Sequence, residues 1–138
     1  MLIHSESEML TFGQNLAKSL KAPQIVELLG DVGAGKTTLT RGIAQGLGIK
    51  EPVTSPSFTL SKEYDGKKYH LVHYDFYRLA DPGIMSEDLA ETIADPKTIT
   101  VIEWGQSVQN LLPEERTTIE IKYIDENTRE IVQKWNST

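Results

Sequence analysis

The sequence predicts one α/β domain over residues 1–138, in which helices flank a mixed central β-sheet. A chain of 138 residues is long enough to form one domain with its own hydrophobic core. Residues 25–29, Ile-Val-Glu-Leu-Leu, form a short and nearly continuous apolar segment, which is typical of a strand buried on both faces. Helical periodicity occurs on either side of that segment, and strand-like segments dominate the second half of the chain. This order of elements favours a mixed sheet.

The first helix is predicted to begin after Ser5 and to run to about Leu20. Ser5 and Glu8 fit a capping box, in which their side chains satisfy free backbone amides of the first turn. Pro23 ends the helix, because proline lacks the amide hydrogen that a helix interior needs. One face carries apolar or small residues at helical spacing: Met9, Gly13, Leu16 and Leu20.

A strand, a glycine-rich turn and a second helix follow in sequence. The apolar segment 25–29 predicts the strand, residues 30–36 the turn, and residues 37–47 the helix. Gly48 provides a C-terminal stop, since glycine readily adopts the left-handed conformation that ends helices. The helix has one apolar stripe at four-residue spacing: Leu39, Ile43 and Leu47.

The rest of the chain predicts hairpins, a small helix and a set of strands. Asp65-Gly66 is a strong signal for a short hairpin, and residues 125–127 are expected to join the last two strands in a second one. Asp81-Pro82-Gly83 predicts a turn. The elements expected here are strands at 57–61 and 69–75, a helix at 85–93, a strand at 99–102 ended by Glu103, one helical turn within 108–112, and strands at 117–123 and 129–135.

Composition and charge narrow the functional classes. The chain has no cysteine, which excludes disulfides, thiolate metal sites and thiol catalysis. No apolar stretch approaches the roughly 20 residues that cross a bilayer, and no secretory signal is recognisable, so we expect a cytoplasmic protein. Fourteen basic and twenty acidic residues give a net charge of −6, and this acidity disfavours direct binding of DNA or RNA. If RNA enters its biology, we expect a partner to hold it.

The strongest functional signal is residues 30–37, Gly-Asp-Val-Gly-Ala-Gly-Lys-Thr, which match G-x-x-x-x-G-K-[ST] at every fixed position. Average residue frequencies give about 0.005 chance matches in a chain of this length. A predicted strand precedes the motif and a predicted helix follows it, as a phosphate-binding loop (P-loop) requires. Small residues let backbone amides converge on phosphate oxygens, and the helix presents its positive N-terminal end to the same anion. Lys36 supplies an ammonium group for the β- and γ-phosphates, and Thr37 a hydroxyl group for Mg²⁺.

A P-loop needs a second oxygen ligand for its metal ion, usually an acidic residue that ends a buried strand. Glu103 follows the apolar segment 99–102 directly and is the expected ligand, either by itself or through a water molecule. The alternative is that Glu103 only caps the strand or pairs with a basic side chain.

Residues 73–78, His-Tyr-Asp-Phe-Tyr-Arg, form a dense polar and aromatic cluster at the end of a predicted strand. Strand alternation places His73, Asp75 and Tyr77 on one face and the other three residues on the opposite face. Asp75 is therefore the best candidate acid after Glu103, suited to positioning water or supporting the metal ion. The alternative is a buried ion pair with aromatic packing.

Residues 54–59, Thr-Ser-Pro-Ser-Phe-Thr, form a hydroxyl-rich loop ahead of a predicted strand. Such a loop is positioned like a switch that senses a γ-phosphate. A plain loop stabilised by serine and threonine turns is an equally good interpretation.

Four segments together resemble the TsaE (YjeE) family, small bacterial ATPases needed for the threonylcarbamoyladenosine modification of tRNA. They occur in the family's order: the P-loop with Thr38, residues 54–58, residues 73–78, and Ile102-Glu103-Trp104. The resemblance implies an ATPase that uses ATP and Mg²⁺ and works with the TsaD and TsaB proteins, which transfer the threonylcarbamoyl group to the adenosine beside the anticodon. We expect turnover to be slow until these partners assemble, tRNA to be contacted only indirectly, and neither membrane nor DNA to be a partner.

The resemblance also assigns roles to residues. Lys36, Asp75 and Glu103 are expected to be catalytic, and Thr37 and Glu103 to bind the metal ion. Trp104 follows Glu103 as it does in the family. Contacts with the nucleotide are expected from Glu6, Val32, Gly33, Ala34, Gly35, Lys36, Thr37, Thr38, Asp75, Gln106 and Arg129.

Other functional classes stay open at this level. A small-molecule P-loop kinase usually needs a lid with several arginines, and only four scattered arginines occur here. A GTP-dependent regulatory switch would carry an Asn-Lys-x-Asp motif, which the sequence lacks. A nucleotide-binding protein with negligible hydrolysis is a further alternative, because no residue is an obvious arginine finger.

Overall fold

The computed structural model describes residues 1–30, 33–54, 61–76, 86–104 and 109–136. Within these ranges it contains seven β-strands and three α-helices. The elements are β1 (Leu2–Ile3), α1 (Glu6–Ser19), β2 (Gln24–Leu29), α2 (Lys36–Gly46), β3 (Ser61–Asp65), β4 (His70–Asp75), α3 (Ser86–Ala94), β5 (Thr98–Glu103), β6 (Arg116–Asp125) and β7 (Thr128–Asn136).

All seven strands join one mixed sheet in the order β1-β7-β6-β2-β5-β4-β3. The four central strands, β6, β2, β5 and β4, run parallel to one another. The outer pairs β1–β7, β6–β7 and β3–β4 are antiparallel. The predicted α/β fold with a mixed sheet is therefore confirmed. Parallel strands bring their carboxyl ends to one edge, where ligands of open α/β sheets usually bind.

Apolar side chains cover both faces of the sheet. Helices α1 and α2 pack on one face, the α2 face, where Leu39 and Ile43 meet Val26 and Val101 of the central strands. Helix α3 packs on the opposite face, the α3 face, through a smaller buried cluster that includes Leu89. In the part of the chain described, no helix is long and apolar enough to cross a membrane.

The strand register decides which polar side chains meet at the carboxyl edge of the sheet. Leu28 of β2 aligns with Glu103 of β5, and Glu103 aligns in turn with Asp75 of β4. Neighbouring residues in register point to the same face. Because Leu28 belongs to the cluster beneath α2, both acids lie on the α2 face.

Helix α1 matches the predicted first helix closely. Ser5 accepts a hydrogen bond from the amide of Glu8 at 3.0 Å, as in a capping box. The Glu8 carboxylate accepts from the amide of His4 at 3.3 Å, one residue before the cap. The predicted apolar face is buried: Met9, Gly13, Leu16 and Leu20.

A buried ion pair fixes the segment after β5 to the α3 face. Glu27 of β2 is 3% exposed, and its two oxygens accept hydrogen bonds from Arg116 Nε at 3.1 Å and Gln109 Nε2 at 2.6 Å. Arg116 also donates to the carbonyl of Pro113 and to the side chain of Gln109. Residues 109–113 are thereby held against the sheet by charge-assisted hydrogen bonds.

The third strand and its hairpin differ from the prediction. The strand expected at 57–61 overlaps β3 only at Ser61, and residues 57–60 lie outside the described ranges. β3 continues to Asp65 although only Tyr64 in it is buried, so it lacks the alternation that would have marked it. The hairpin at Asp65-Gly66 is confirmed, but four residues join its strands, because Asp65 aligns with His70.

The other elements agree with the sequence to within a few residues, apart from β1. β1 has only two residues, too few for a periodic signal, and it is ordered by pairing with Glu130 and Arg129 of β7. The second hairpin, through residues 126–127, is confirmed. The turn expected at 81–83 lies outside the described ranges.

Helices α1 and α2 approach each other at two glycines. A Cβ atom on Gly13 would lie 2.7 Å from the carbonyl oxygen of Leu39, and one on Gly42 would lie 2.5 Å from that of Leu10. Both distances are shorter than real contacts allow, so the helices could not pack this closely with larger residues. This contact supports α2, whose first two residues, Lys36 and Thr37, are the last two of the P-loop.

We predict that Gly13→Ala destabilises the protein by about 1–3 kcal/mol, the usual cost of overpacking. The higher helix propensity of alanine offsets about 1 kcal/mol of the strain at most. Urea unfolding followed by circular dichroism measures the change. Ser7→Ala, at an exposed position of the same helix, serves as the control and should change stability by less than about 0.5 kcal/mol. Equal stability of Gly13→Ala and the wild type would contradict the close packing.

Candidate functional site

The loop between β2 and α2 has the backbone conformation that its glycines predict. Gly30, Gly33 and Gly35 have φ angles of 149°, 83° and 112°, which are strained for residues with a side chain. Gly35 is the N-cap of α2, and it provides no side chain to cap that helix. The first amides of α2 therefore face the loop together with the positive end of the helix dipole, as an anion site requires.

The side chain of Lys36 lies against this loop and is 6% exposed. Its Nζ donates a hydrogen bond to the carbonyl oxygen of Gly30 at 2.7 Å and lies 3.8 Å from the centroid of the Trp104 ring. Trp104 packs, half-buried, against the cluster on the α3 face, and its φ of 56° is uncommon outside glycine. Sequence reasoning missed this contact, because it depends on the positive φ of Trp104, which no local pattern signals.

Glu103 ends β5 with its side chain almost wholly buried, at 3% exposure. Its Oε2 lies 2.5 Å from Nε2 of His73, which is fully buried on the neighbouring strand β4. The predicted alternative for Glu103, a contact with a basic side chain, is therefore present in the structure. The second carboxylate oxygen, Oε1, is not used in this contact.

Asp75 ends β4 beside Glu103, and its half-buried side chain lies on the same face. The predicted alternation is confirmed for the part of the cluster described: His73 and Asp75 lie on the α2 face, and Tyr74 and Phe76 on the α3 face. The two rings stack with their centroids 5.5 Å apart. Tyr77 and Arg78 lie outside the described ranges.

Tyr74 connects the end of β4 to helix α3. Its hydroxyl group donates to Oδ2 of Asp88 at 2.6 Å and lies 2.7 Å from the hydroxyl oxygen of Thr92. Burial first, and the bond to Asp88 second, raise the pKa of Tyr74 well above its usual range. The phenol therefore stays protonated and anchors α3 at all physiological pH values.

A cleft of about 310 Å³ adjoins the P-loop on the side of α1 and the β6–β7 hairpin. The cleft is bounded by Ile3, Met9 and the hairpin residues Glu126 and Asn127. It brings together six of the residues expected to contact a nucleotide: Glu6, Gly33, Ala34, Gly35, Thr38 and Arg129. Glu6 also lies 3.7 Å from the guanidinium of Arg41, an exposed ion pair.

Arg129 connects the β6–β7 hairpin to the P-loop. Its Nε donates to the carbonyl of Ala34 at 3.2 Å, and its Nη1 donates to the carbonyl of Asp125 at 2.6 Å. The guanidinium lies 4.4 Å from the ring centroid of Tyr123, a cation–π distance. The amide of Asn127 bonds the Asp125 carboxylate, and this hydrogen bond lowers the pKa of Asp125.

The structure thus places most of the expected site residues around one loop. Glu6 and Arg129, which are 123 residues apart in sequence, line the same cleft as the P-loop. Lys36, Glu103 and Asp75 lie at the carboxyl edge of the central strands. Val32 and Gln106 lie outside the described ranges, as do residues 55–59 of the hydroxyl-rich loop.

The residues at this edge suit a magnesium ion that arrives with phosphate groups. The hydroxyl of Thr37 and the carboxylates of Glu103 and Asp75 are hard oxygen donors, which Mg²⁺ prefers. No group of three or more acidic, histidine or cysteine side chains among the described residues forms a metal cage by itself. Mg²⁺ in nucleotide sites is typically held by only one or two protein oxygens, the rest coming from phosphates and water. The donor set therefore fits this ion.

The chain is similar in sequence to proteins of one family. Residues 3–131 match the family model described as TsaE, threonylcarbamoyl adenosine biosynthesis protein. The tRNA threonylcarbamoyladenosine biosynthesis protein TsaE of Haemophilus influenzae is 40% identical over 129 residues, which cover 90% of this chain and 82% of that protein. The protein of the same name from Bacillus subtilis is 42% identical over 112 residues, which cover 80% of this chain and 69% of that protein.

The fold is similar to a solved structure as well. The crystal structure of Bacillus subtilis YdiB aligns with a TM-score of 0.83 and 33% sequence identity. The alignment covers 99% of this chain and 84% of the YdiB chain. The resemblance that four short motifs indicated is confirmed by these matches over nearly the whole sequence.

Proposed function

The chain belongs to the TsaE family, which serves threonylcarbamoyladenosine biosynthesis in tRNA, and we propose that it acts there as a magnesium-dependent ATPase. One observation carries the proposal. The buried ammonium of Lys36 lies in a glycine-rich loop at the edge where Glu103 and Asp75 end neighbouring strands. This combination is what phosphoryl transfer from a nucleoside triphosphate needs: a phosphate cradle, a mobile cation and adjacent carboxylates.

The first step is binding of the triphosphate by the loop. Phosphate oxygens accept hydrogen bonds from the first amides of α2, and Lys36 exchanges the Gly30 carbonyl for the β- and γ-phosphates. A phosphate oxygen carries a full negative charge where the carbonyl carries only a partial one, so the exchange is favourable.

The carboxylates act on the metal ion and on water. Thr37 and Glu103 are proposed to hold Mg²⁺, which when bound neutralises charge on the transferred phosphoryl group. Asp75, beside Glu103, is proposed to accept a hydrogen bond from the attacking water and to orient it toward the γ-phosphate. The products are ADP and inorganic phosphate.

The nucleoside is proposed to occupy the cleft between α1, the P-loop and the β6–β7 hairpin. Its volume of about 310 Å³ suits a purine and part of its ribose. Glu6 and Arg129 offer an acceptor and donors at its walls, and Arg129 already fixes the loop through Ala34. The carbonyl and carboxylate acceptors around the cleft can bind the exocyclic amine of adenine, and the sequence lacks the Asn-Lys-x-Asp motif that would select guanine.

The partners are proposed to be TsaD and TsaB, which carry the tRNA substrate. With a net charge of −6 the chain is poorly suited to hold RNA by itself, so an action on a partner complex fits its charge. Such a role belongs to the cytoplasm, where tRNA is modified. The alternative functions, a small-molecule kinase and a GTP-dependent switch, are disfavoured because the relatives are named as proteins of tRNA modification.

The decisive experiment measures phosphate release from ATP and from GTP, with Mg²⁺ or EDTA, by the chain alone and with purified TsaB–TsaD. We expect slow, Mg²⁺-dependent hydrolysis that prefers ATP and rises when the partner complex is added. Equal rates with and without TsaB–TsaD would count against the accessory role. No ATP binding by calorimetry would end the ATPase proposal.

Lys36→Met is predicted to weaken ATP binding roughly 10-fold or more, since a hydrogen bond to a charged group contributes about 1.5–3 kcal/mol. Methionine keeps most of the side-chain length and its packing on Trp104, so the fold should be retained. Calorimetry with ATP and Mg²⁺ measures the change. Lys18→Met, at an exposed position of α1, is the control and should bind like the wild type.

Glu103→Gln and Asp75→Asn are predicted to lower kcat by roughly 100-fold or more, as expected for groups that act on metal or water. Both changes remove a charge with little change in shape, so the affinity for ATP should fall much less than kcat. Glu91→Gln, exposed on α3, is the control. Normal hydrolysis by Asp75→Asn would make the cluster around His73 structural.

Nucleotide binding is predicted to change the fluorescence of Trp104, because Lys36 leaves the face of its ring. The chain has two tryptophans, so Trp135→Phe leaves Trp104 as the reporter. Titration of this variant with ATP and Mg²⁺ should give a saturable signal that Lys36→Met abolishes or strongly reduces. A flat signal at ATP concentrations that saturate calorimetric binding would contradict the proposed movement of Lys36.

A further inference from the structure

The imidazole of His73 is fully buried on β4, two residues before Asp75. Its Nε2 lies 2.5 Å from Oε2 of Glu103, so the two side chains share a hydrogen bond across neighbouring strands. Nδ1 is buried as well, and none of the residues placed by the structure offers it a hydrogen-bond partner. The polar contact of His73 is therefore with the proposed metal ligand.

The hydrogen bond at Nε2 and the lack of a partner at Nδ1 indicate which nitrogen of the His73 ring carries the proton. An ionised carboxylate only accepts hydrogen bonds, so Nε2 of His73 must carry the proton that Glu103 accepts. A second proton on Nδ1 would bury an N–H donor without a partner, and such buried donors are rare and costly. The geometry is satisfied by the tautomer with its proton on Nε2.

A purely structural role accounts poorly for this pair. On the β5 side of His73 the aligned positions are apolar, Val101 and then Val26 of β2, while Lys62 of β3 aligns with it on the other side. An apolar side chain would fit the strand pattern there and would leave no nitrogen unpaired. A buried polar pair adds little net stability compared with apolar residues of similar volume. What the histidine adds is a fixed direction for the carboxylate of Glu103.

We propose that His73 is a positioning residue, which holds Oε2 of Glu103 and so presents Oε1 to the metal ion beside the P-loop. The inference rests on the proposed Mg²⁺-dependent function. The glutamate side chain has three rotatable bonds, and fixing them before the ion arrives reduces the entropy lost on binding. Outer partners that orient metal ligands typically change metal affinity or activity 10- to 100-fold when they are removed.

Two substitutions distinguish the hydrogen bond that His73 donates to Glu103 from the volume that the His73 side chain occupies. His73→Gln places an amide nitrogen near the position of Nε2 and keeps a donor for Glu103. His73→Asn places its amide near the position of Nδ1 and leaves Glu103 without the donor. His70, half-exposed at the other end of β4 and paired with Asp65, provides the matched controls His70→Gln and His70→Asn.

The first measurement uses the chain without nucleotide or metal. Long-range proton–nitrogen NMR distinguishes protonated from bare imidazole nitrogens, and the signals lost in His73→Gln identify those of His73. We expect a proton on Nε2 and none on Nδ1. A proton on Nδ1, or rapid exchange between the two tautomers, overturns the inference, because the bond to Glu103 would then not hold the carboxylate.

The second measurement follows ATP affinity against Mg²⁺ concentration by calorimetry, together with kcat and KM. Mg²⁺ should raise the affinity for ATP, and we compare the Mg²⁺ concentration that gives half of this increase. We expect this concentration to be roughly 10-fold higher for His73→Asn than for the wild type, while the ATP affinity measured in EDTA stays unchanged. His73→Gln should recover most of the loss, and both His70 variants should match the wild type.

The outcomes separate this inference from the function on which it rests. A folded His73→Asn chain with wild-type Mg²⁺ dependence overturns the positioning role and leaves the ATPase intact. If His73→Asn does not fold, His73→Gln decides: a donor that restores folding but not Mg²⁺ dependence also overturns the role. Wild-type protein whose ATP affinity ignores Mg²⁺ overturns the proposed function itself, and with it this inference.

Discussion

The backbone of the P-loop is held from both sides, and the rest of the site depends on that support. On the β6 side, a Cβ atom on Gly30 would lie 2.7 Å from the carbonyl of Ile121, so the loop leaves β2 in direct contact with the next strand. On the α1 side, a Cβ atom on Gly35 would lie 3.2 Å from the side chain of Met9. A loop that is proposed to point successive amides at one anion cannot rely on its own glycines, which are conformationally free. The strand and the helix provide the rigidity that the glycines lack.

The strand register explains why acids from separate strands lie side by side at this edge of the sheet. Parallel pairing of β2, β5 and β4 fixes the heights of their carboxyl ends, so Leu28, Glu103 and Asp75 fall in one row. The alternation of side chains then puts this row on the face where α2 begins. A shift of one residue in either register would turn the acids toward α3 instead. The position of the carboxylates is thus a property of strand pairing, while the position of the lysine is a property of the loop.

The features of the structure that could be predicted from the sequence are those that depend on residues close together in the chain. The P-loop, the helix after it and the buried strands around it follow from spacing and residue type over about ten residues. Contacts that depend on long-range pairing could not be derived in this way. The reach of Arg129 to the carbonyl of Ala34 follows from the β6–β7 hairpin, and the His73–Glu103 bond from the β4–β5 register. The family resemblance implied that Arg129 contacts a nucleotide. Its hydrogen bond to the P-loop carbonyl of Ala34 could be known only from the fold.

Trp104 lies between the lysine of the loop and the acid at the end of β5. It follows Glu103 directly, and its ring lies against the ammonium of Lys36. The lysine proposed to bind phosphate therefore contacts the residue next to the proposed metal ligand. The chain is fixed before Trp104 by the bond of Glu103 to His73, and again at Gln109 by its bond to Glu27. Because the ring also packs against the cluster on the α3 face, Trp104 connects the ammonium of Lys36 to that cluster.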